Sequence, residues 1–396
     1  MSAVVKNIKG DTVIWAIMLL LGLISLAPVF SASSNIGLSA EVATNWTFFI
    51  KHLAHLAIGF AILYVVHLTP FKKYGQYRYV LIAAIIVLLA ITFAQGTTIK
   101  NVTASRWIRI PIVGLSFQTS TLAIVIVMIF TAKYMASYKK TDTFKDTFLQ
   151  FWLWVGLPLV FILPGNFSTT ALLFLMILLV LFIGGYKLKY IGYVLGIAIA
   201  FLGLFILLSF AFPKVKTFNR ASTWISRVQS HADGDDTLDK NYQIDKAKIA
   251  IASGGLIKFM PGSSKQKNFL PQSESDFIYA IIIEEYGLIT GIFILGIYLL
   301  FFFRILIIAN KASNKFGSLL VIALGLPIVF QALINMVVNV DLGPVTGQTL
   351  PLISNGGSSI WMVCFAVGII LSVSREANEL EAQRKAEELE TLEEYI

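Results

Sequence analysis

The sequence predicts an all-α, polytopic membrane protein of about ten transmembrane helices with one large extracytoplasmic loop. Three observations carry that prediction. The 396 residues are 57% hydrophobic and only 13% charged, with a mean hydropathy of +0.79, far more apolar than a soluble domain. Apolar runs close to the ~20 residues needed to cross a ~30 Å hydrocarbon core recur along the chain, so the spans read as helices and not as the weakly alternating strands of an outer-membrane barrel. Lysine and arginine gather in every second short loop, as the positive-inside rule requires. The formal charge of +9 is therefore first a topology signal, and nucleic-acid binding is not expected. Cys364, the single cysteine, lies in an apolar run, which excludes an intramolecular disulfide and a cysteine-rich metal site.

Taken in order, Lys6 and Lys9 precede an apolar run from Val13 to Ser31. That run is long for a signal peptide, despite the SASS that ends it, and reads as an uncleaved first span. Further spans are expected near 48–69, 77–95, 117–135, 150–164, 168–185, 190–212, 276–303, 318–339 and 358–374. Lys72, Lys73 and Arg78, then Lys133, Lys139, Lys140 and Lys145, then Lys187 and Lys189, then Arg304, Lys311 and Lys315 all fall on one side. The alternate loops 34–47 and 340–357 carry neither Lys nor Arg, which places both termini in the cytoplasm. Residues 1–374 thus read as one transmembrane domain, with 213–275 as its large extracytoplasmic loop. Residues 375–396, an acidic helix former with no wide apolar stripe, read as a solvated cytoplasmic tail.

Three features interrupt the simple pattern. The loop at 96–117 sets Arg106, Trp107 and Arg109 on the outer face, where tryptophan is commonly an aromatic-belt anchor. Pro164 to Thr170 splits an apolar region, either as a tight hairpin or as a re-entrant break that protein or water must cover. The segment 213–275, at about 60 residues, is too long for a plain connection. It holds Arg220, Arg227, Lys240, Lys246, Lys248, Lys258, Lys265 and Lys267, suited to anionic headgroups or to a pyrophosphate. His231 to Asp236 lacks the ligand spacing and closing glutamate of a calcium loop. His52 and His55 share a helical face with Lys51 but have no third ligand at metal spacing, so a polar lining or a satisfied pair is expected.

The chain is organised around Lys265 to Gly287, KQKNFLPQSESDFIYAIIIEEYG. A basic loop turns apolar at Ser275-Asp276-Phe277, which puts Asp276 at the lip of the bilayer. At ~1.5 Å per residue Glu284 would lie roughly 12 Å further along the same helix, and two carboxylates at that depth need partners or a polar cavity. They could hold a neighbouring helix through a base such as Lys51, or one could ligand a metal together with Asp276. The glycines of Asn355-Gly356-Gly357-Ser358-Ser359 could turn the chain into the last helix or nest a phosphate.

Several motifs run together: Tyr242-Gln243, SGGL at 253–256, Gln266-Lys267, Leu270-Pro271, Asp276-Phe277-Ile278 and Glu284-Glu285-Tyr286-Gly287. With Gly343-Pro344, Thr349-Leu350-Pro351, Gly356-Gly357-Ser358-Ser359 and Arg106-Trp107, the sequence resembles the SEDS family, the bacterial shape, elongation, division and sporulation proteins of the FtsW and RodA group, and most of all its FtsW-type division branch. The resemblance spans essentially the whole chain. It implies a peptidoglycan glycosyltransferase that polymerises lipid II into glycan strands on the outer face of the cytoplasmic membrane during cell division. It also implies Asp276 as catalytic base, a class B penicillin-binding protein and other division proteins as partners, and a place at the septum. Lys267, Arg106, Arg220 and Arg227 become the candidates for binding the pyrophosphate, Ser358 a further substrate contact, and Mg or Mn the cofactor to consider. A lipid II flippase and a non-catalytic division scaffold are the competing readings. The sequence departs from the family pattern at Thr121 and Ile124, where a Glu and a Lys are usual, at Asn166 in place of Asp, at Thr346 in place of Lys, and at Asn355 in place of Tyr. Small-residue pairs, Gly192 with Gly196 and Gly287 with Gly291, mark faces that another helix could approach.

Overall fold

The computed structural model describes residues 9–32, 45–95, 98–99, 102–103, 107–109, 116–211, 240–270 and 272–394. In order, the helices are α1 Thr12–Ala32, α2 Asn45–Leu68, the short α3 Lys72–Gln76, α4 Arg78–Gln95, α5 Thr119–Ser137, the short α6 Phe144–Thr147, α7 Leu153–Ile162, α8 Phe167–Ile183, α9 Leu188–Ala211, α10 Lys240–Gly254, α11 Ile278–Tyr286, α12 Leu288–Lys311, α13 Lys315–Asn339 and α14 Ser358–Glu394. A π-helical turn, Phe148–Trp152, joins α6 to α7. Seven of these, α1, α2, α5, α9, α12, α13 and α14, are long and apolar enough to cross a membrane. Two shorter apolar helices, α4 and α8, accompany them, and α6, the π-helical turn and α7 follow one another without a gap from 144 to 162. Helix is the physical solution because each segment must satisfy its own backbone amides away from water.

The helices alternate in direction, so one end of the bundle gathers the described N-terminal residues and the far part of α14, and the other gathers the longer connections. At the terminal end, Asp11 caps α1 by accepting the Ile14 amide at 3.0 Å and pairs with Arg304 of α12. Lys9–Glu379 at 2.8 Å, Lys72–Glu376 at 2.9 Å and Lys311–Glu381 at 3.3 Å tie three connections to α14. That helix continues past residue 374 without a break to Glu394.

The core centres on α13, buried along most of its length, with α5, α8, α12 and α14 packed around it and α2 laid against α14. The span α9 stands at the margin, mostly uncovered by protein. At the loop end two small hairpins precede α5: β1 Thr98–Ile99 with β2 Val102–Thr103, and β3 Trp107–Arg109 with β4 Ser116–Gln118. In the second, Trp107 pairs with Gln118 and Arg109 with Ser116. The Pro164 region is a tight turn in which Asn166 caps α8 by accepting the Thr169 amide at 3.3 Å, the service an aspartate would give.

One expected span is corrected. Residues 276–303 do not form a single helix: α11 ends at Gly287, whose φ is +82°, and α12 starts anew at Leu288. A Cβ at Gly287 would stand 2.8 Å from the Leu256 carbonyl oxygen and from the Lys258 nitrogen, so only glycine fits both the left-handed backbone and the close approach. Glu284 and Glu285 therefore sit before the break at the loop end, not in the middle of a continuous span.

Candidate active site

The residues from Gly255 to Phe277 form a platform moored on α11 and the first turn of α12. The Gly255 and Leu256 carbonyls accept the Leu288 and Ile289 amides at 2.9 and 3.1 Å, and the Met260 amide donates to the Glu285 carbonyl at 3.0 Å. The chain then turns back over the two buried glutamates. Glu284 accepts the amides of Lys265 at 2.9 Å and Gln266 at 3.3 Å together with the Ser264 hydroxyl, and Glu285 accepts the Ser264 amide at 3.1 Å and the Ser31 hydroxyl. Buried carboxylates are tolerable when several donors converge on them. Their described partners are thus amides and hydroxyls, and Lys51 is not among them.

Nine residues beyond Lys267, Asp276 is fixed through its backbone. Gln272 adopts φ +61°, and its carbonyl accepts the amides of Ser275 at 3.1 Å and Asp276 at 3.2 Å. The Asp276 carbonyl accepts side-chain amides from Asn335 at 2.8 Å and Asn339 at 3.0 Å, both on α13. Asn339 also accepts the Ala280 amide at 3.1 Å, and Asn335 donates to the Gln348 carbonyl at 2.7 Å. From the other side, Ser354 donates to the Ser275 carbonyl at 2.6 Å and the Asn355 amide donates to the Glu274 carbonyl at 2.9 Å. Phe277, not Asp276, occupies the capping position of α11. Asp276 is partly exposed, and it borders Gly347. With φ +66° there, a Cβ would come 3.4 Å from Asp276 Oδ2. Two residues upstream, burial pushes the Glu274 carboxyl above the usual carboxylate range.

The other residues singled out by the sequence fall in different places. The Lys267 ammonium turns back into its own loop, 3.0 Å from the Gly262 carbonyl and 3.3 Å from the Ser31 hydroxyl. Ser358 is fully buried, and its hydroxyl accepts the Gln118 amide at 3.0 Å, so it fastens β4 to the start of α14. Arg106, Arg220 and Arg227, like the stretch His231 to Asp236, lie outside the described residues. His52 is buried against the Ser25 hydroxyl at 2.9 Å, and His55 stacks on Trp361 at 5.4 Å between ring centroids, which makes both structural. Among the described residues no group of three or more His, Cys, Asp or Glu is placed to hold a metal ion. Asn335 and Asn339 were missed by the sequence reading. Their signal is an i, i+4 asparagine pair in an otherwise apolar helix, and intramembrane polar residues of that kind mark function or a partner. Thr121 and Ile124 line a cleft between α5, α13 and α14 with Met128, Pro327 and Gln331, and no charged side chain lines it.

Residues 11–379 match the family model of the FtsW, RodA and SpoVE cell cycle proteins. The chain is 30% identical to the probable peptidoglycan glycosyltransferase FtsW of Xanthomonas oryzae pv. oryzae over 93% of its own length and 74% of that protein. It is 28% identical to the protein of the same description from Coxiella burnetii, over 91% of this chain and 96% of that one. Two solved structures share the fold. One is a chain from work on how a peptidoglycan synthase complex coordinates polymerization and crosslinking, with TM-score 0.69 at 21% identity, covering 93% of this chain and 99% of the other. The second is the Thermus thermophilus rod shape determining protein RodA, with TM-score 0.65 at 20% identity, covering 93% and 98%.

Proposed function

The chain belongs to the FtsW, RodA and SpoVE family of cell cycle proteins, and on that premise we propose that it is a peptidoglycan glycosyltransferase that polymerises lipid II, with Asp276 as the catalytic base. The observation that carries the reading is the mounting of Asp276: its backbone is held from α13 and from the 343–357 segment, while its carboxylate meets a glycine that leaves room beside it. Such preorganisation is what a positioned base requires. The Asp276 carboxylate takes the proton of the acceptor sugar's 4-hydroxyl as that oxygen bonds to the donor's anomeric carbon. The bond from that carbon to the pyrophosphate oxygen breaks, the lipid pyrophosphate departs, and Asp276 releases its proton to water. A base of this kind contributes ~10²–10⁴-fold.

The departing charge needs cations, and Lys267, Arg106, Arg220 and Arg227 are the proposed set. Lys267 serves first as part of the latch over Glu285 and reaches the pyrophosphate only if it leaves Ser31. The loop end is proposed to face outward with both termini cytoplasmic, in agreement with the basic residues of the opposite connections. A class B penicillin-binding protein is the proposed partner, and cell division at the septum the proposed setting.

The test is polymerisation of purified lipid II by Asp276→Asn. The expected result is loss of glycan product with a parental thermal unfolding profile, because an isostere changes one partly exposed charge. Glycan strands made at the parental rate would show that Asp276 is not the base.

A further inference from the structure

Just before the turn over the two glutamates the platform carries a run of apolar residues that none of the described residues covers. Leu256 is 70% exposed, Ile257 81%, Phe259 79% and Met260 56%. Lys258 in their midst is only partly exposed. That ordering is the reverse of a water-facing turn, in which the ammonium would lie outermost and the apolar side chains inward. A contiguous apolar surface of this kind marks contact with a membrane or with another protein.

Its surroundings decide between these. The amides of Leu288 and Ile289 bond to the Gly255 and Leu256 carbonyls, so the run lies level with the first turn of the span α12. The outward face of that same turn is also uncovered, with Ile289 53%, Ile292 57% and Phe293 54% exposed, and on a spanning helix such a face meets lipid. The two surfaces are continuous. Phe259 packs edge-on against Tyr286, the last residue of α11, at 5.8 Å, which holds the run beside the junction where α12 begins.

We propose that residues 256–261 form a lipid-inserted finger, seated in the leaflet at the loop end with Lys258 at headgroup level. Through its bonds to Glu285, Leu288 and Ile289, and through the glutamate latch beyond, the finger sets the height of Asp276 above the hydrocarbon. A lipid-linked sugar has its reacting atoms at a fixed height above the same boundary, so the finger registers enzyme and substrate. The height-setting role rests on the proposed reaction; the insertion itself does not.

The experiment uses the full chain in lipid nanodiscs with Cys364 replaced by Ser, and a spin label at Phe259→Cys. Controls are Phe293→Cys on the lipid face of α12 and Asp245→Cys on the exposed side of α10. The expected result is that the label at 259 relaxes with oxygen and is shielded from a water-soluble nickel chelate, as at 293 and opposite to 245. Chelate access like that at 245, or shielding from both reagents as at a protein contact, overturns the insertion. In a second arm, Ile257→Asp with Phe259→Asp is expected to raise the KM for lipid II several-fold at a near-parental kcat. An unchanged KM overturns the height-setting role, whatever Asp276→Asn has shown about the base.

Discussion

Asp276 and Glu274 stand two residues apart in the same turn, yet the loop treats them differently. Asp276 is held by its carbonyl and faces Gly347, whereas Glu274 is drawn inward and burial raises its carboxyl. The folded state therefore keeps a proton on Glu274 that the unfolded chain releases. Stability lost through this group is absent below the ordinary carboxylate value of about 4.3, grows as pH rises towards the raised value, and is complete above it. Glu274→Gln is accordingly expected to raise the thermal unfolding midpoint at pH 7, with the gain vanishing by about pH 4; a scan of both proteins across that range checks it. At this scale Asp276 is legible as a boundary residue because a switch from polar to apolar residues is written in the chain. Ser358 and Lys267 were not legible in the same way. A hydroxyl or an ammonium can face a substrate or satisfy a neighbour, and the neighbours here, Gln118 and Ser31, come from more than 200 residues away.

The broken eighth span shows what an element-level reading can and cannot find. From Ile278 to Phe303 the residues, Glu284 and Glu285 apart, are apolar enough for one helix, and Gly287 is one of three glycines among them. Glycine is common inside transmembrane helices, so composition alone could not mark the break. What fixes it is the approach of residues 256–258, which lie some 30 positions upstream. The same break explains the two glutamates: a continuous helix would have carried them into hydrocarbon, whereas the turn at Gly287 leaves them beneath the platform as acceptors. Glu284→Ala would strand two amides and a hydroxyl, each costing about 1–3 kcal/mol if left unsatisfied. The expected outcome is faster limited proteolysis between residues 255 and 277, with loss of polymerisation and intact membrane insertion. A platform as resistant as the parent's would refute the latch.

Across the whole molecule, the polytopic helical architecture was legible, since hydrocarbon imposes helices. Which spans form the core and which stand outside was not, because every span is apolar all round. The small-residue pairs show the difference. Gly291 is used internally, its missing Cβ lying 2.9 Å from Ile283. Gly192 and Gly196 on the marginal α9 have nothing within 4 Å of where a Cβ would stand. They leave open space on a helix that the described residues cover only sparsely, and α9 leads in sequence into the large connection that ends at the platform. A single-pass partner packing into this space would be linked through that connection to Asp276. Gly192→Leu with Gly196→Leu is therefore expected to lower partner-stimulated polymerisation while the basal rate stays near parental, because among the described residues no atom lies within 4 Å of either added Cβ. A comparison of both rates with purified partner decides it. A parallel fall in the two rates would mean the glycines serve the chain's own packing, and full stimulation would mean the partner docks on another face.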